Sequence, residues 1–185
     1  MTDEDIPLCV DSALSMAAWE GDTETVKALI AAGADVHVHT DAPLWSAAMQ
    51  GRTDTMRALL DAGADQDIAL IVAAENGLIE LVRELLATGA DVHAYRGLAL
   101  LMAAHNGHTE TVKALLAGGA CFHSDAALVL SAENGYTDTV RVLLEAGAGG
   151  RNAARQGAAK NGHAETARAL KNWRKKKSPS ASQTT

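Results

Sequence analysis

One short motif recurs six times along this chain, and the repetition restricts the fold more than any other feature. The form is "GHTETVKALLAGGA", and in five copies the second glycine of the motif follows the first by twelve residues. The copies begin at Gly21, Gly51, Gly77, Gly107 and Gly135, and a diverged sixth begins at Gly162. Such a regular repeat is typical of solenoids, in which each unit packs mainly on its neighbours.

Each copy is predicted to form a helix, because its apolar residues, such as Val112, Leu115 and Leu116, have helical spacing. Thr or Asp near the start is expected to cap the helix, and the closing Gly to end it. An acid also precedes a base by three residues, so the two side chains can pair on the solvated face. The six pairs are Glu24–Lys27, Asp54–Arg57, Glu80–Arg83, Glu110–Lys113, Asp138–Arg141 and Glu165–Arg168.

A second helix is predicted before each copy, in segments such as "IALIVAAENG" and "LALLMAAHNG". Their Ala pairs allow close helix contacts, and a two-helix hairpin cannot bury its apolar face alone. The sequence therefore predicts an all-α solenoid of about six stacked helix-turn-helix repeats with short connecting turns.

These motifs resemble ankyrin repeats, and the resemblance covers roughly residues 10–173. It implies the ankyrin-type solenoid and the binding of a protein partner on the concave face. It also implies a structural hydrogen bond from the histidines of the Gly-His pairs, His108 and His163. Pro43 alone keeps the proline of the family's first helix, and the family's histidine position holds Ser15, Trp45, Ile71, Leu101, Val129 and Gln156. Apolar packing is expected to replace that histidine, most clearly at Ile71, Leu101 and Val129.

We expect three segments. Residues 1–11 are a leader or cap, residues 12–173 are the array, and residues 174–185 are a disordered, basic, Ser-rich tail. The last repeat is expected to be a C-terminal cap, since Arg155 stands where other repeats have Leu. The connections between repeats, here called fingers, differ in length, and the shortest follows Gly63.

Charge and cysteine content narrow the setting. The net charge is −7, but residues 171–185 carry +5, so residues 1–170 carry −12. An acidic body argues against nucleic-acid binding by the array. Two distant cysteines, no secretory signal and no membrane-spanning apolar run predict a cytoplasmic protein, with the nucleus as the alternative. We expect a monomer.

No catalytic, metal or cofactor site is expected. His37, His93 and His123 hold equivalent places in different repeats, and helices 8–10 Å apart cannot share one zinc ion. Cys121 has His123 nearby but no third group, and the glycines are helix stops rather than a phosphate loop. These features predict neither an enzyme nor a small-molecule binder.

Partner binding is expected on the concave face and at the finger tips. The residue after each Ala pair varies most: Trp19, Met49, Glu75, His105 and Glu133, with Lys160 in the last repeat. The finger residues His37, His39, Tyr95 and Arg96 complete the predicted site. The following row, mostly Asn, is expected to be structural. An alternative function is a targeting or regulatory adaptor whose basic tail directs it to the nucleus or an anionic surface.

Overall fold

The computed structural model describes residues 5–121 and 124–173, with side chains described from Val10 onward. These ranges contain twelve helices and no strand. The predicted tail, residues 174–185, and His123 lie outside the described residues. The helices are α1 Asp5–Glu20, α2 Thr23–Ala31, α3 Val38–Met49, α4 Thr53–Asp61, α5 Gln66–Glu75, α6 Ile79–Thr88, α7 Ala94–His105, α8 Thr109–Ala117, α9 Ser124–Glu133, α10 Thr137–Glu145, α11 Arg151–Lys160 and α12 Ala164–Asn172.

The helices form six antiparallel pairs that stack in two layers, as the sequence predicts. Odd-numbered helices pack on one another in the inner layer, and even-numbered helices form the outer layer. The core repeats with the sequence. Leu14, Leu44, Leu70, Leu100 and Leu128 are buried in the inner layer, and Leu59, Leu85, Leu115, Leu143 and Leu170 in the outer layer. Ile71 is also buried, while Leu101 and Val129 pack partly buried against the core, so the expected apolar substitution is confirmed.

The first described helix begins at Asp5, so the predicted boundary between leader and array falls inside α1. At the other end of the stack, Arg155 is exposed on α11. None of the helices in the described ranges is long and apolar enough to cross a membrane.

The closing glycines end the outer helices as predicted. Gly33, for example, is left-handed at φ 94°, and the following Ala34 N–H donates to the Leu29 carbonyl at 3.0 Å. Five of the six predicted i,i+3 ion pairs form on the exposed outer face, at N–O distances from 2.6 to 3.1 Å. The sixth, Glu165–Arg168, does not form within 4 Å in the described part of the chain.

The predicted capping role of the threonines is wrong. Only Asp22 among the outer-helix starts caps with its side chain, accepting the Thr25 N–H at 3.1 Å. In the first, fourth and fifth repeats, the threonine two residues after the first glycine instead bonds to the next repeat. Hydroxyl pairs link Thr23 to Thr55, Thr109 to Thr139 and Thr137 to Thr166, at 2.9, 2.8 and 2.7 Å.

A second link between repeats comes from an aspartate that precedes the buried inner leucine by three residues. Its carboxylate accepts the backbone N–H found 24 residues later, just after the next Gly-Ala. The pairs are Asp11 with Asp35, Asp41 with Asp65, Asp67 with Asp91, and Asp125 with Gly149. Gly97 holds this position in the fourth repeat and has no side chain to offer.

The stack is interrupted between the second and third repeats. Four adjacent outer pairs pack side by side, whereas α4 and α6 lack such packing in the described structure. The connection from α4 to α5 spans only residues 62–65, so the sequence-based expectation of a shortest finger after Gly63 is confirmed.

Three lateral contacts are also lost at this junction. In other repeats the side chain after the first glycine covers the preceding repeat's glycine, as His108 covers Gly77, but nothing lies over Gly51. Leu81 replaces the threonine that would pair with Thr53. Asn76 bonds to Val72 of its own helix rather than to the preceding repeat. The junction is therefore the most weakly linked of the five.

Arg57 bridges the open outer side of the junction. It bonds to Asp54 of its own helix and to Glu84 of α6, both at 3.0 Å. The hydrogen bond that Arg57 donates to Glu84 raises the pKa of Arg57 above its usual value. A cavity of about 330 Å³ lies beside this bridge, with Leu60, Leu81 and Leu85 among its lining residues.

Candidate binding face

Five of the predicted binding residues form one row along the stack. Trp19 is the penultimate residue of α1, and the others each end an inner helix. This helix-end row consists of Trp19, Met49, Glu75, His105 and Glu133. Trp19 is 45% exposed and Met49 is 63% exposed, His105 is exposed, and Glu75 and Glu133 are half-buried. The row is thus accessible, and it changes from apolar to polar along the stack.

The asparagines that follow the helix-end row are structural, as expected. Asn106, Asn134 and Asn161 each donate from Nδ2 to the carbonyl of a row residue in the preceding repeat, at 2.9, 3.1 and 2.8 Å. His108 Nε2 donates to the same Glu75 carbonyl at 2.9 Å, which confirms the hydrogen bond expected of it. The Nδ1 atom of His105 also lies 3.3 Å from Asn134 Nδ2. These bonds fix the backbone beneath the row in repeats three to five.

The other predicted residues lie on two fingers with an unusual backbone. In the first finger, His39, Thr40 and Asp41 are left-handed, with φ from 48° to 60°. Tyr95, Arg96 and Gly97 are left-handed at the equivalent positions of the second finger. Left-handed geometry costs roughly 1–2 kcal/mol for each residue that has a side chain. Such strain concentrates at functional sites, so the two fingers are candidates for function on the backbone alone.

The strained part of the first finger is held by a buried carboxylate. Asp41 is 4% exposed, accepts the Asp65 N–H at 3.4 Å, and lies 3.1 Å from His37 Nδ1. His37 is exposed, and its own N–H donates to Asp35 at 2.9 Å. His37 therefore has a structural contact in the finger, while His39 is exposed beside it.

The second finger has the same turn, since the His93 N–H donates to Asp91 at 2.9 Å and the Gly97 N–H to the His93 carbonyl at 3.0 Å. Tyr95 is 57% exposed and Arg96 is also exposed. An aromatic ring and a guanidinium held on a fixed backbone are good interface anchors.

The predicted residues do not converge on one point. The fingers adjoin the N-terminal ends of the inner helices, and the helix-end row lies at their C-terminal ends. The right-handed part of α3, from Ala42 to Met49, separates the two by roughly 12 Å. The predicted residues therefore border a face formed by the inner helices, here called the inner face.

Sequence reasoning missed Trp45, which belongs to this face. It precedes Met49 by four residues, so both side chains share one side of α3. Trp45 is partly buried against the core. Its helical spacing from Met49 was the available signal, but the position was interpreted only as a replaced family histidine.

The described side chains bring together no group of three or more His, Cys, Asp or Glu that could hold a metal ion. Cys121 is an exposed, free cysteine. The cavity at the second junction is lined by leucines and by the ion-paired Arg57 and Glu84. The exposed side chains of the helix-end row and of the fingers can form apolar contacts, hydrogen bonds and ion pairs with another molecule.

Comparison with known proteins gives matches at two levels. A family model described as ankyrin repeats (3 copies) matches residues 14–96 and 70–153. The crystal structure of the human ASB11 ankyrin repeat domain is similar at a TM-score of 0.70 and 26% sequence identity, covering 85% of this chain and 81% of that one. No curated protein matches the chain.

Proposed function

This chain belongs to the ankyrin repeat family, and we propose that it is a non-enzymatic scaffold that binds a protein partner on the concave, inner face of its repeat stack. Ankyrin repeats are generally protein–protein interaction modules. We further propose that the scaffold acts as a monomer without a cofactor or small-molecule substrate. The binding residues would be the helix-end row and the two left-handed fingers.

The observation that carries this proposal is the pair of equivalent strained fingers. Five side-chain-bearing residues adopt positive φ in the described structure, and all five lie in these fingers. The hydrogen bonds around Asp41 hold the first finger in place. A preorganised surface loses little entropy on binding, which favours affinity.

Alanine substitution tests the site. Trp19→Ala, Met49→Ala, Tyr95→Ala and Arg96→Ala are expected to weaken binding of a partner captured by cross-linking, because these side chains are exposed anchors. Binding is measured by calorimetry, and folding by circular dichroism and thermal unfolding. Each variant is expected to keep a midpoint close to that of the wild type.

The matched controls are one exposed outer-layer change, Lys113→Ala, and one core change, Leu115→Ala. Lys113→Ala should alter neither binding nor folding, and Leu115→Ala should destabilise the array by roughly 2–5 kcal/mol. If only Leu115→Ala weakens binding, the proposed site is wrong.

A second candidate function rests on the sequence "RKKK" at Arg174–Lys177. Here the array would carry cargo, and the basic tail would direct it to the nucleus or an anionic surface. Fluorescence imaging of the chain with residues 174–185 deleted tests this. Loss of nuclear or membrane-surface signal supports the adaptor function, and an unchanged cytoplasmic distribution removes it.

A further inference from the structure

The first two repeats carry an apolar patch on the inner face, formed by Trp19, Trp45 and Met49. Trp19 and Met49 are large apolar side chains that are 45% and 63% exposed, and Trp45 is the half-buried neighbour of Met49 on α3. Helices α1 and α3 pack against each other, so the three side chains belong to one continuous surface. Later repeats place Glu75, His105 and Glu133 at the equivalent row positions.

The backbone beneath this patch also differs from the rest of the row. The carbonyls of Glu75, His105 and Glu133 each accept an Asn side chain of the next repeat. Gln50 and Asn76 stand at the corresponding donor positions for Trp19 and Met49, and Asn76 bonds to Val72 instead. In the described structure the carbonyls of Trp19 and Met49 thus have no side-chain donor from the neighbouring repeat. They can accept hydrogen bonds from a partner.

The charge of the surrounding layer selects the partner. In repeats one to five, the inner helices and fingers contain eleven Asp or Glu residues but only one Lys or Arg, Arg96. The outer helices of the same repeats contain eight acids and five bases. The inner face therefore presents a negative field to an approaching molecule, which steers basic segments toward it and repels nucleic acid.

We propose that the inner face of the first three repeats docks a basic polypeptide segment of a partner protein, anchored by one apolar side chain. The apolar side chain lies on the patch between Trp19 and Met49. A Lys or Arg of the segment faces Glu75, one repeat away. Adjacent helices lie roughly 8–10 Å apart and an extended chain rises roughly 3.3 Å per residue, so the two side chains are about three positions apart.

This inference rests on the proposed function and specifies its partner. Its test is selection of a random 12-residue peptide library displayed on phage against the immobilised full chain. Enriched peptides are expected to carry net positive charge, with an aromatic or aliphatic residue two to four positions from a Lys or Arg. Enrichment without an excess of Lys and Arg, or no enrichment, contradicts the inference.

Two triple variants of equal net charge then locate the binding site of the selected peptide that has the highest affinity. The inner variant is Glu20→Gln, Glu75→Gln and Glu133→Gln, and the outer variant is Glu24→Gln, Glu80→Gln and Glu110→Gln. Fluorescence anisotropy is expected to show at least a roughly tenfold loss of affinity for the inner variant, because the charge of Glu75 that faces the segment is removed together with two other negative charges of the inner layer. The outer variant should stay within about twofold. Equal losses would mean that only net charge matters, which overturns the proposal.

A single substitution covers the case in which the inner triple variant does not fold. Met49→Lys places a like charge on the patch and should abolish binding of the basic peptide, whereas Met49→Leu should preserve it. Both changes are at an exposed side chain, and thermal unfolding checks that both variants fold. Retained binding in Met49→Lys would overturn the proposal.

The outcomes also separate this inference from the proposed function. Peptides that are lost on Trp19→Ala but lack basic residues contradict the partner's chemistry and leave the inner-face site intact. Peptides that bind only the outer helices contradict both. A rise in affinity when residues 174–185 are deleted would make the chain's own basic tail the occupant, in the same or a second copy, and would contradict a separate partner.

Discussion

At the scale of single residues, local patterns within one helix were predictable and contacts between repeats were not. The i,i+3 ion pairs follow from helix geometry alone, and five of six formed. The threonine assignment failed because the residue after the first glycine, such as Arg52 or His108, occupies the N-cap position. The hydroxyl one residue later then faces the next repeat. An Asp three residues before each inner Leu was visible in "DSAL", "DAPL", "DIAL" and "DAAL", but its 24-residue partner required the stack.

Two equivalent threonines give a matched stability prediction. Thr139 is buried and its hydroxyl lies 2.8 Å from that of Thr109, whereas buried Thr111 meets Ile79 at the corresponding place and has no hydroxyl partner there. Thr139→Val should lower the free energy of unfolding by about 1 kcal/mol, and Thr111→Val should leave it unchanged or raise it. Urea unfolding measures both. Equal losses would show that the hydroxyl pair does not stabilise the stack.

The cap at Asp22 predicts a pH-dependent contribution. Hydrogen bonds from the Thr25 hydroxyl and then the Thr25 N–H hold the pKa of Asp22 below its ordinary value of 3.8. Because the folded-state pKa is depressed, the stabilisation is present above the unfolded pKa and is lost as pH falls through the folded one. Asp22→Ala should therefore lower the urea midpoint at pH 7, and this deficit should shrink as the pH falls through the acid range. A deficit that does not change with pH would assign the effect to something other than the carboxylate.

At the scale of elements, helix boundaries followed the glycines, but the shape of the fingers did not follow from the sequence. Gly97, His39 and Asp41 are of the residue types that tolerate positive φ best, but Thr40, Tyr95 and Arg96 are not, so "VHTD" and "AYRG" do not predict a left-handed run of three residues. The run is stable because Asp41 links one finger to the next repeat and buries its carboxylate. Finger length, by contrast, follows directly from the number of residues between each closing Gly and the next Ala pair.

Two glycines at equivalent turns separate backbone strain from packing. Gly51 and Gly107 are both left-handed, at φ 66° and 74°, but a Cβ at Gly51 meets nothing within 4 Å, whereas one at Gly107 would lie 2.6 Å from the Tyr136 ring. Gly51→Ala should cost about 1–2 kcal/mol of stability and Gly107→Ala distinctly more. Chemical unfolding gives both values. When Tyr136→Ala is introduced into both variants, the stability loss of Gly107→Ala should move closer to that of Gly51→Ala. If the gap between the two losses does not change, packing against the Tyr136 ring is not its cause.

At the scale of the whole molecule, the sequence predicted six repeats but not their unequal coupling. The segment "LIELVRELL" keeps the helical pattern of the repeat, so the sequence indicates one more unit and does not show the loss of cross-repeat threonines. The structure shows that repeats one and two meet the others across a junction held by α3–α5 packing, the Arg57–Glu84 pair and the Asp41–Asp65 bond. In a solenoid, stability is set by such neighbour interfaces.

The weak junction predicts that the first two repeats open independently. Native-state hydrogen exchange should give lower opening free energies in α1–α4 than in α7–α10. Arg57→Ala should speed exchange in α1–α4 further, because it removes the cross-repeat ion pair. Lys113→Ala, which removes only a pair within α8, should not. Uniform protection across all helices would contradict a divided stack.

The central claim, that the partner binds the inner face, is tested most directly by site-specific photo-crosslinking. A photoreactive phenylalanine analogue replaces Met49 or Tyr95 on the inner face, or Lys113 on the outer layer, and covalent adducts are identified by mass spectrometry. The account predicts that Met49 and Tyr95 form an adduct with the same protein and that Lys113 does not. An adduct formed from Lys113 but from neither inner-face position would contradict it.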